Sequence, residues 1–392
     1  MPTDFLKRTW AEIDLDAMAG NMGRIRSRLR PETKIMAVVK ADAYGHGDIQ
    51  AARTFAALGI SWFGVATIEE AISLRRGGIG GNILILGSTP PEQAALLVEY
   101  GVQQTVYSIN YAEALRRFCG GAKIEAHLAI DTGMGRIGLN ACEAKNCLEQ
   151  AKRILSMPEF DFTGIFTHFA VSDDNSPENI NYTREQFERF MAVCSGLDRE
   201  GRRPPLRHCC NSAAILSYPE MQLEMVRPGI ILYGLNPSDR FGLLEGFRPA
   251  MRLKSIITLV KEIKAGQSVS YGRTFTAESP RTIATVSAGY ADGYPRLLSN
   301  KGRALVNGAF APVAGRVCMD QLMIDITGLS TKEGDEVTLF GDGEKKLRLE
   351  ELAGAIGTVN YELCCLVGSR VPRVYFSGGK KTETVRYKNM IY

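Results

Sequence analysis

This chain of 392 residues is poor in the features that mark membrane, secreted and nucleic-acid-binding proteins. No stretch approaches 18 consecutive apolar residues, and residues 1–10 contain no apolar signal core, so we expect neither a membrane span nor a leader peptide. The net charge of +4 is small, and no run of lysine and arginine suggests a basic arm for nucleic acid. We therefore expect a cytoplasmic protein with no nucleic-acid or membrane partner.

Cysteine spacing typical of metal sites is also missing, although the chain has nine cysteines. None has paired CxxC spacing, and the odd, scattered set indicates buried reduced thiols. The adjacent residues Cys209 and Cys210 are expected on opposite faces of a strand, where they cannot easily share one ion. The sequence predicts no metal.

What the chain does contain is an alternation of short apolar runs with amphipathic stretches over its first 234 or so residues. Eight runs are typical of buried strands, at 35–39, 62–66, 83–86, 105–108, 124–130, 162–167, 206–210 and 225–227. The clearest helical pattern extends from about residue 184 to 199, with Thr183 and Gln186 as a capping box. Eight strands alternating with helices predict an α/β fold of the (β/α)₈-barrel type, whose reactive groups gather at the carboxyl ends of the strands.

An open, doubly wound sheet is the alternative fold for the same alternation. Its usual nucleotide-binding glycines follow a strand, whereas Gly77-Gly78-Ile79-Gly80-Gly81 comes before one. We interpret these glycines as a helix end and a turn, which favours the barrel.

A change of pattern predicts a second domain. Residues 235–249 are polar and contain proline and glycine, and strand patterns with turn signals follow at 256–263, 282–287, 303–306, 321–326 and 336–340. One helical piece near 349–356 interrupts them. We predict a barrel domain at 1–242 and a smaller, mostly β domain with a closed or barrel-like sheet at 243–392.

A lysine at the end of the first barrel strand is the most informative single residue. Lys40 follows the apolar run 35–39 and precedes a small-residue turn that contains Tyr44 and Gly45. Burying lysine is costly, so a desolvated lysine at a strand end is a candidate Schiff-base former. For an arbitrary lysine at this position, the commoner interpretation is a solvated side chain that begins a loop.

The segment around this lysine, AVVKADAYGHG at 37–47, resembles the cofactor-lysine segment of the alanine racemases. The resemblance extends along nearly the whole chain and includes DTGMGRIG at 131–138, SVSYGR at 268–273, AGYADG at 288–293, RVCMD at 316–320 and VNYE at 359–362. It implies a fold-type III enzyme, with a barrel and a β domain, that binds pyridoxal 5′-phosphate.

The resemblance also assigns cofactor-binding residues in the barrel. Lys40 would hold the cofactor as an imine. Arg227 would keep the ring nitrogen of the cofactor unprotonated, because an arginine side chain cannot give up its proton. His168 would support Arg227 by hydrogen bonding, whereas His46 and His127 are interpreted as structural. The phosphate side would be bound by residues at strand ends and in the loops after strands seven and eight, namely Tyr44, Asn211, Ser212, Gly229 and Ile230.

A second arginine is implied as a ligand of both cofactor and substrate. Arg136 would bind the cofactor's phenolic oxygen and the substrate carboxylate as a planar fork. Similar racemases often carry a carbamate-modified lysine seven residues before this arginine, but this chain has Ala129 there. We expect chloride, water or another acidic group to fill the gap.

The β domain is expected to complete the site. Racemisation adds and removes a proton on opposite faces of one carbon, so Lys40 and Tyr271 are implied as two opposed bases. The Met319 amide would contact the substrate carboxylate, Tyr290 would line the entrance, and Tyr361 would touch the phosphate side. In the family these β-domain groups reach the barrel site of the other subunit, which implies a homodimer with composite sites.

The implied function is interconversion of L- and D-alanine, with D-alanine supplied for peptidoglycan. A pocket bounded by tyrosines and Met319 discriminates single methylenes only modestly, so a broader racemase of serine or other small amino acids is one alternative. An amino-acid decarboxylase with the same barrel is a second alternative, although such an enzyme needs an acidic residue at the position of Arg227. A cofactor-carrying protein without catalysis is a third, against which the second domain argues.

Overall fold

The structure is a computed structural model that describes residues 7–239, 241, 244–341 and 347–387. The strands, in chain order, are β1 (Thr9–Asp14), β2 (Lys34–Val38), β3 (Trp62–Val65), β4 (Asn82–Ile85), β5 (Gln103–Val106), β6 (Ile124–Asp131), β7 (Leu139–Asn140), β8 (Phe160–Phe166), β9 (Leu206–His208), β10 (Met225–Val226), β11 (Met251–Ile263), β12 (Ser268–Val269), β13 (Phe275–Thr276), β14 (Arg281–Val286), β15 (Arg303–Val306), β16 (Ala309–Pro312), β17 (Leu322–Asp325), β18 (Glu336–Phe340), β19 (Arg373–Ser377) and β20 (Lys380–Val385). The α-helices are α1 (Leu15–Arg26), α2 (Lys40–Gly45), α3 (Asp48–Ala57), α4 (Ile68–Arg76), α5 (Ala94–Glu99), α6 (Ile109–Phe118), α7 (Ala144–Leu155), α8 (Pro177–Asp198), α9 (Ser212–Ser217), α10 (Leu349–Ile356) and α11 (Asn360–Cys365). No helix in these described ranges combines the length and the apolar character needed to cross a membrane.

Eight parallel strands form the barrel in the order β10, β2, β3, β4, β5, β6, β8, β9. The ring is nearly closed where β9 meets β10, because the Arg227 amide donates to the Cys210 carbonyl at 2.9 Å. The strands are mostly buried because helices cover the barrel outside and packed side chains fill it inside, and even the polar strand β5, QQTV, is buried. The predicted barrel is confirmed, and the open doubly wound alternative is wrong.

The long helix α8 begins earlier than the sequence pattern predicted. It starts at Pro177, whose fixed φ and missing N–H suit the first turn of a helix. Thr183 therefore lies inside the helix, where its hydroxyl donates to the Asn179 carbonyl at 2.9 Å. The capping box of Thr183 and Gln186 is wrong, and Gln186 is instead buried against the barrel.

Cys209 and Cys210 also depart from expectation. Their thiols both donate to the Met221 carbonyl, at 3.2 and 3.3 Å, so they point the same way. The alternation of a strand does not apply to them because β9 ends at His208. The nine cysteines are free, and most are buried, although Cys142 and Cys365 are exposed.

The second sheet is built on the long strand β11. It pairs antiparallel with β1, β14 and β18, and the path through β14 and β17 returns to the neighbourhood of β16 by a bridge between Val313 and Ile324. The result is the closed, barrel-like sheet that was predicted. The first strand of the chain, β1, lies in this sheet, between β11 and β19. The predicted boundary between residues 242 and 243 falls outside the described residues.

Candidate active site

A cavity of about 800 Å³ opens at the carboxyl ends of the barrel strands. It brings together all the residues that the sequence assigned to cofactor binding, namely Lys40, Tyr44, Arg136, His168, Asn211, Ser212, Arg227, Gly229, Ile230 and Tyr361. Strand ends far apart in sequence meet here because a parallel barrel presents all its carboxyl ends at one rim. Among the described residues no group of three or more His, Cys, Asp and Glu side chains is arranged to hold a metal.

Lys40 comes directly before a turn with unusual backbone geometry. The next four residues, 41–44, have φ between 52° and 54°, so the chain makes a left-handed helical turn immediately after the lysine. Such a turn costs about 1–2 kcal/mol per non-glycine residue and persists only when surrounding contacts hold it. The Ala41 amide donates to Glu70 at 2.7 Å, and the buried Arg373 donates to the Gly45 carbonyl at 2.9 Å.

The environment of Lys40 favours its neutral amine. Burial lowers the pKa of this amine, and the positive charge of Arg136 lowers the pKa further. A lysine with a lowered pKa is the better nucleophile and proton acceptor near neutral pH.

Hydroxyl groups and glycine form a cradle beside the lysine. The Gly229 amide donates to the Ser212 hydroxyl at 2.9 Å, and a Cβ added at Gly229 would lie 2.6 Å from the Tyr44 hydroxyl oxygen. Burial raises the pKa of Tyr44, so its hydroxyl stays protonated and can donate. The Tyr361 ring lies 6.0 Å from the Tyr44 ring and closes this side. Donor groups around a small open space suit an anion such as a phosphate.

Arg227 is buried, and its hydrogen-bond partners among the described residues are all neutral. It donates to His208 Nδ1 at 2.8 Å, to the Thr167 carbonyl at 2.8 Å, to His168 Nδ1 at 3.2 Å and to the Cys209 carbonyl at 3.3 Å. Burial lowers the pKa of Arg227 to about 10, so the guanidinium remains charged at neutral pH. The structure thus holds a fixed cation in the cavity wall.

Arg136 is positioned by a loop that glycines shape. Asp131 accepts the amides of Gly133 and Gly135, and Tyr182 donates to the Gly133 carbonyl at 2.8 Å. The Arg136 side chain lines the cavity and is exposed in the single chain. Ala129 is buried in the same wall, and no carboxylate of the described residues lies within 4.0 Å of the Arg136 guanidinium. Within the described part of this chain, therefore, an acidic group does not fill the gap that Ala129 leaves.

Three predicted residues lie outside the cavity of their own chain. Tyr271, Met319 and Tyr290 are 69%, 53% and 40% exposed on the β domain. Their loops are joined, because the Tyr290 amide donates to the Cys318 carbonyl at 3.0 Å and the Ser270 hydroxyl contacts the Cys318 thiol at 3.5 Å. We call this patch of Tyr271, Tyr290 and Met319 the β-domain face.

Tyr361 does not belong to that face. It lines the barrel cavity of its own chain, so the expectation that it reaches the partner's site together with the other β-domain groups is wrong. The physical reason is local: α11 packs against the left-handed turn, and a Cβ added at Gly45 would lie 2.3 Å from the Cys364 carbonyl oxygen.

His208 is a site residue that the sequence analysis missed. Its contact with Arg227, at 2.8 Å, is shorter than that of His168, at 3.2 Å. The signal in the sequence was only general: a polar ring in a barrel strand needs a partner, and His208 stands just before the loop of Asn211 and Ser212, which was expected to bind the phosphate.

Known families match both halves of the chain. The family model for the alanine racemase N-terminal domain matches residues 13–237, and that for the C-terminal domain matches residues 250–375. The chain is 45% identical over 374 residues to the alanine racemase of Desulfovibrio desulfuricans, covering 95% of this chain and 99% of that protein. It is 46% identical over 372 residues to that of Desulforamulus reducens, covering 93% and 98%.

A solved structure agrees. The alanine racemase of Bacillus anthracis, crystallised with bound L-Ala-P, superposes with a TM-score of 0.91 at 35% identity, covering 98% of this chain and 99% of that one. The barrel, the attached β domain and these relatives together place the chain among the two-domain barrel enzymes of the amino-acid isomerase class. With matches over both domains and nearly the full length, the chain belongs to the alanine racemase family.

Proposed function

We propose that this protein interconverts L- and D-alanine with pyridoxal 5′-phosphate as its cofactor. The observation that supports this most directly is a single cavity that contains three kinds of group. They are the amine of Lys40, whose pKa is lowered, the buried guanidinium of Arg227, and the hydroxyl groups of Tyr44 and Ser212. Family membership and the L-Ala-P bound by the Bacillus anthracis relative support alanine as the substrate.

The residues present fit the proposed cofactor. The space above Gly229 would be filled by a Cβ, and it is bordered by two hydroxyls that would donate to a phosphate. Lys40 would hold the cofactor, and Arg227 has an Nε–H with no acceptor among the described residues, which is free for the ring nitrogen. When bound, pyridoxal phosphate supplies the electron sink that acidifies the proton on the substrate Cα.

Two side chains would move that proton. The lowered pKa of the Lys40 amine suits it to take or return a proton on one face of Cα near neutral pH. We propose that Tyr271 acts on the other face, because inversion requires groups on opposite sides of one carbon. Arg227, which is charged at neutral pH and only donates hydrogen bonds, favours brief proton exchange over the chemistry that an acidic partner would support.

The substrate carboxylate would be bound between the barrel of one subunit and the β domain of the other. Arg136 is exposed, lines the cavity and lacks an ion-pair partner among the described residues, so its planar fork is available for a carboxylate. We propose that the Met319 amide is the second contact, and that Tyr290 lines the entrance.

We propose a homodimer with composite sites, and the exposure of the β-domain face supports it. Tyr271, Tyr290 and Met319 form an exposed aromatic and methionine patch, which is typical of an interaction surface. We propose that the patch of one protomer covers the cavity of its partner, so that each site takes Lys40 from one chain and Tyr271 from the other.

The alternative activities have weaker support. The partners of Arg227 include no carboxylate within the described ranges, so a decarboxylase that needs an acid at the ring nitrogen is not favoured. On family membership we further propose a cytoplasmic enzyme that supplies D-alanine for peptidoglycan.

The direct test is chiral chromatography of the purified protein, supplied with pyridoxal phosphate and each small L-amino acid in turn. We expect D-alanine from L-alanine, lesser amounts of D-serine, and no product from the Lys40→Ala variant. A yellow, folded protein that inverts no amino acid would refute the proposal, and release of carbon dioxide would support the decarboxylase instead.

A further inference from the structure

The hydrogen bonds of Arg227 continue away from the cavity into the barrel core. Arg227 contacts His208 Nδ1 at 2.8 Å, and the opposite nitrogen of that ring, Nε2, contacts His127 Nδ1 at 2.7 Å. All three side chains are buried, and the two histidines are fully so. A chain of two imidazole rings therefore connects the cavity wall to the barrel interior.

The direction of each bond in this chain is fixed by chemistry. A guanidinium has no acceptor, so His208 Nδ1 must accept and carry no proton. His208 is then the neutral Nε2–H form, and it donates to His127 Nδ1. His127 must carry its own proton on Nε2, which is buried without a hydrogen-bond partner among the described residues. The His127 ring lies 5.5 Å from the Trp62 ring, measured between centroids.

The local backbone is shaped around the His127 ring. The pairing of β6 with β8 changes register between Ala126 and His127, and such irregularities re-aim a side chain. Across from it, β8 has Gly164, where an added Cβ would lie 2.4 Å from His127 Nδ1. The extra residue of β8 at this register shift, Thr163, and the glycine that follows it leave room for the His127 ring.

We propose that His127 is a positioning residue: by accepting from His208 Nε2–H, it holds His208 in the form that accepts from Arg227. The Phe166 ring, stacked on His208 at 4.9 Å, limits rotation of that imidazole, so the proton position decides the contact. With Arg227 held in this way, its Nε–H would stay free for the ring nitrogen of the cofactor, a consequence that rests on the proposed function.

Two matched substitutions separate this role from simple packing. His127→Phe keeps a ring but removes the acceptor, so His208 Nε2–H loses its partner. His127→Asn keeps an acceptor oxygen close to the position of Nδ1 and is the conservative variant. The chain has only four histidines, so ¹⁵N-histidine labelling gives few signals, and each can be assigned by its own variant.

The test is the proton position on His208, read from long-range ¹H–¹⁵N spectra of the cofactor-free protein. We expect Nε2–H with bare Nδ1 in the wild type and in His127→Asn, and loss of this single form in His127→Phe. An Nδ1–H or doubly protonated His208 in the wild type would overturn the proposal, even where the Phe variant fails to fold. An unchanged His208 in a folded His127→Phe would do the same.

A second measurement uses the loaded enzyme. Because small displacements of a positioned group cost up to ~100-fold in rate, we expect kcat for alanine to fall by roughly 10-fold or more in His127→Phe. KM should change less, and His127→Asn should restore most of kcat. Equal kcat in the two variants would overturn the proposal. Normal histidine spectra without any racemisation would instead refute the proposed function.

Discussion

Adding one methyl group at Gly229 should weaken cofactor binding by displacing a single hydroxyl. A Cβ at this position would lie 2.6 Å from the Tyr44 hydroxyl oxygen and 3.3 Å from the ring carbon that bears it. The Tyr44 ring cannot easily yield, because it is buried and packs against the Tyr233 ring, 5.2 Å away, and against Tyr361. The clash therefore moves the hydroxyl out of the phosphate cradle.

The magnitude follows from the hydrogen bond that is lost. A hydrogen bond to a charged group contributes about 1.5–3 kcal/mol, and each 1.4 kcal/mol is a tenfold change in Kd. We expect the Kd of pyridoxal phosphate, measured by equilibrium dialysis on the apoprotein, to rise by roughly 10- to 100-fold in Gly229→Ala. Gly23→Ala is the matched control, since an added Cβ there meets nothing within 4 Å.

A double-mutant cycle with Tyr44→Phe tests the cause. Tyr44→Phe removes the same hydroxyl without the clash, so it should weaken binding by a similar factor. If the Cβ acts through the hydroxyl, then Gly229→Ala should cost little more in the Tyr44→Phe background. Fully additive losses would refute the argument, because the methyl group would then act on the cofactor or on the backbone instead.

Three further predictions follow from the site and the core. Borohydride reduction of the loaded protein should attach the cofactor to Lys40, as peptide mass mapping would show, and attachment at another lysine would contradict the assignment. Tyr271→Phe should slow deuterium washout at Cα from one alanine enantiomer far more than from the other, whereas equal slowing would count against opposed bases. Burial lowers the pKa of His127 to about 3 and of His46 to about 4. Both pKa values in the folded protein lie below the ordinary histidine value of 6.5, so neither residue lowers the free energy of unfolding above pH 6.5. As the pH falls from 6.5 toward the folded pKa, each residue lowers the free energy of unfolding by about 1.4 kcal/mol per pH unit. Urea midpoints that stay level between about pH 7 and pH 5 would contradict this.

The barrel was predictable because most of its strands carry their own signal, although β5, with the sequence QQTV, is polar. A strand buried on both faces is a short continuous apolar run, and the run 62–66, for example, corresponds to β3. The edges shift by a residue or two because hydrogen bonding, not hydropathy, decides where a strand ends. In the second domain, β20 was not predicted, since its sequence KKTETV is polar and mostly exposed.

Features created by distant contacts were not predictable. Strand β1 pairs with β11, where Thr9 and Ser255 are 246 positions apart in the sequence. Neither segment contains a pattern that predicts pairing with the other. The left-handed turn after Lys40 contains alanine, aspartate and tyrosine, which prefer right-handed geometry, and it is held by Arg373 from β19.

The residues of the candidate site also divide into those that the sequence predicted and those that it did not. Motif residues such as Lys40 and Arg227 were found because their surroundings resemble a family pattern, and they meet in one cavity. His208, a partner of Arg227, and His127, a partner of His208, were missed because a histidine in a strand looks the same in the sequence whether it serves the core or the site. Only the 2.7 Å contact between their rings distinguishes the two cases.

Subunit mixing tests most directly whether two protomers share one catalytic centre. Lys40→Ala and Tyr271→Phe protomers, each nearly inactive alone, are combined by co-expression, and alanine inversion is measured. If a site takes its amine from one chain and its phenol from the other, half of the dimers are mixed and hold one intact site, so about a quarter of wild-type activity returns. No gain above the sum of the two separate variants would mean that both groups serve the same chain's cavity, and the composite site would be wrong.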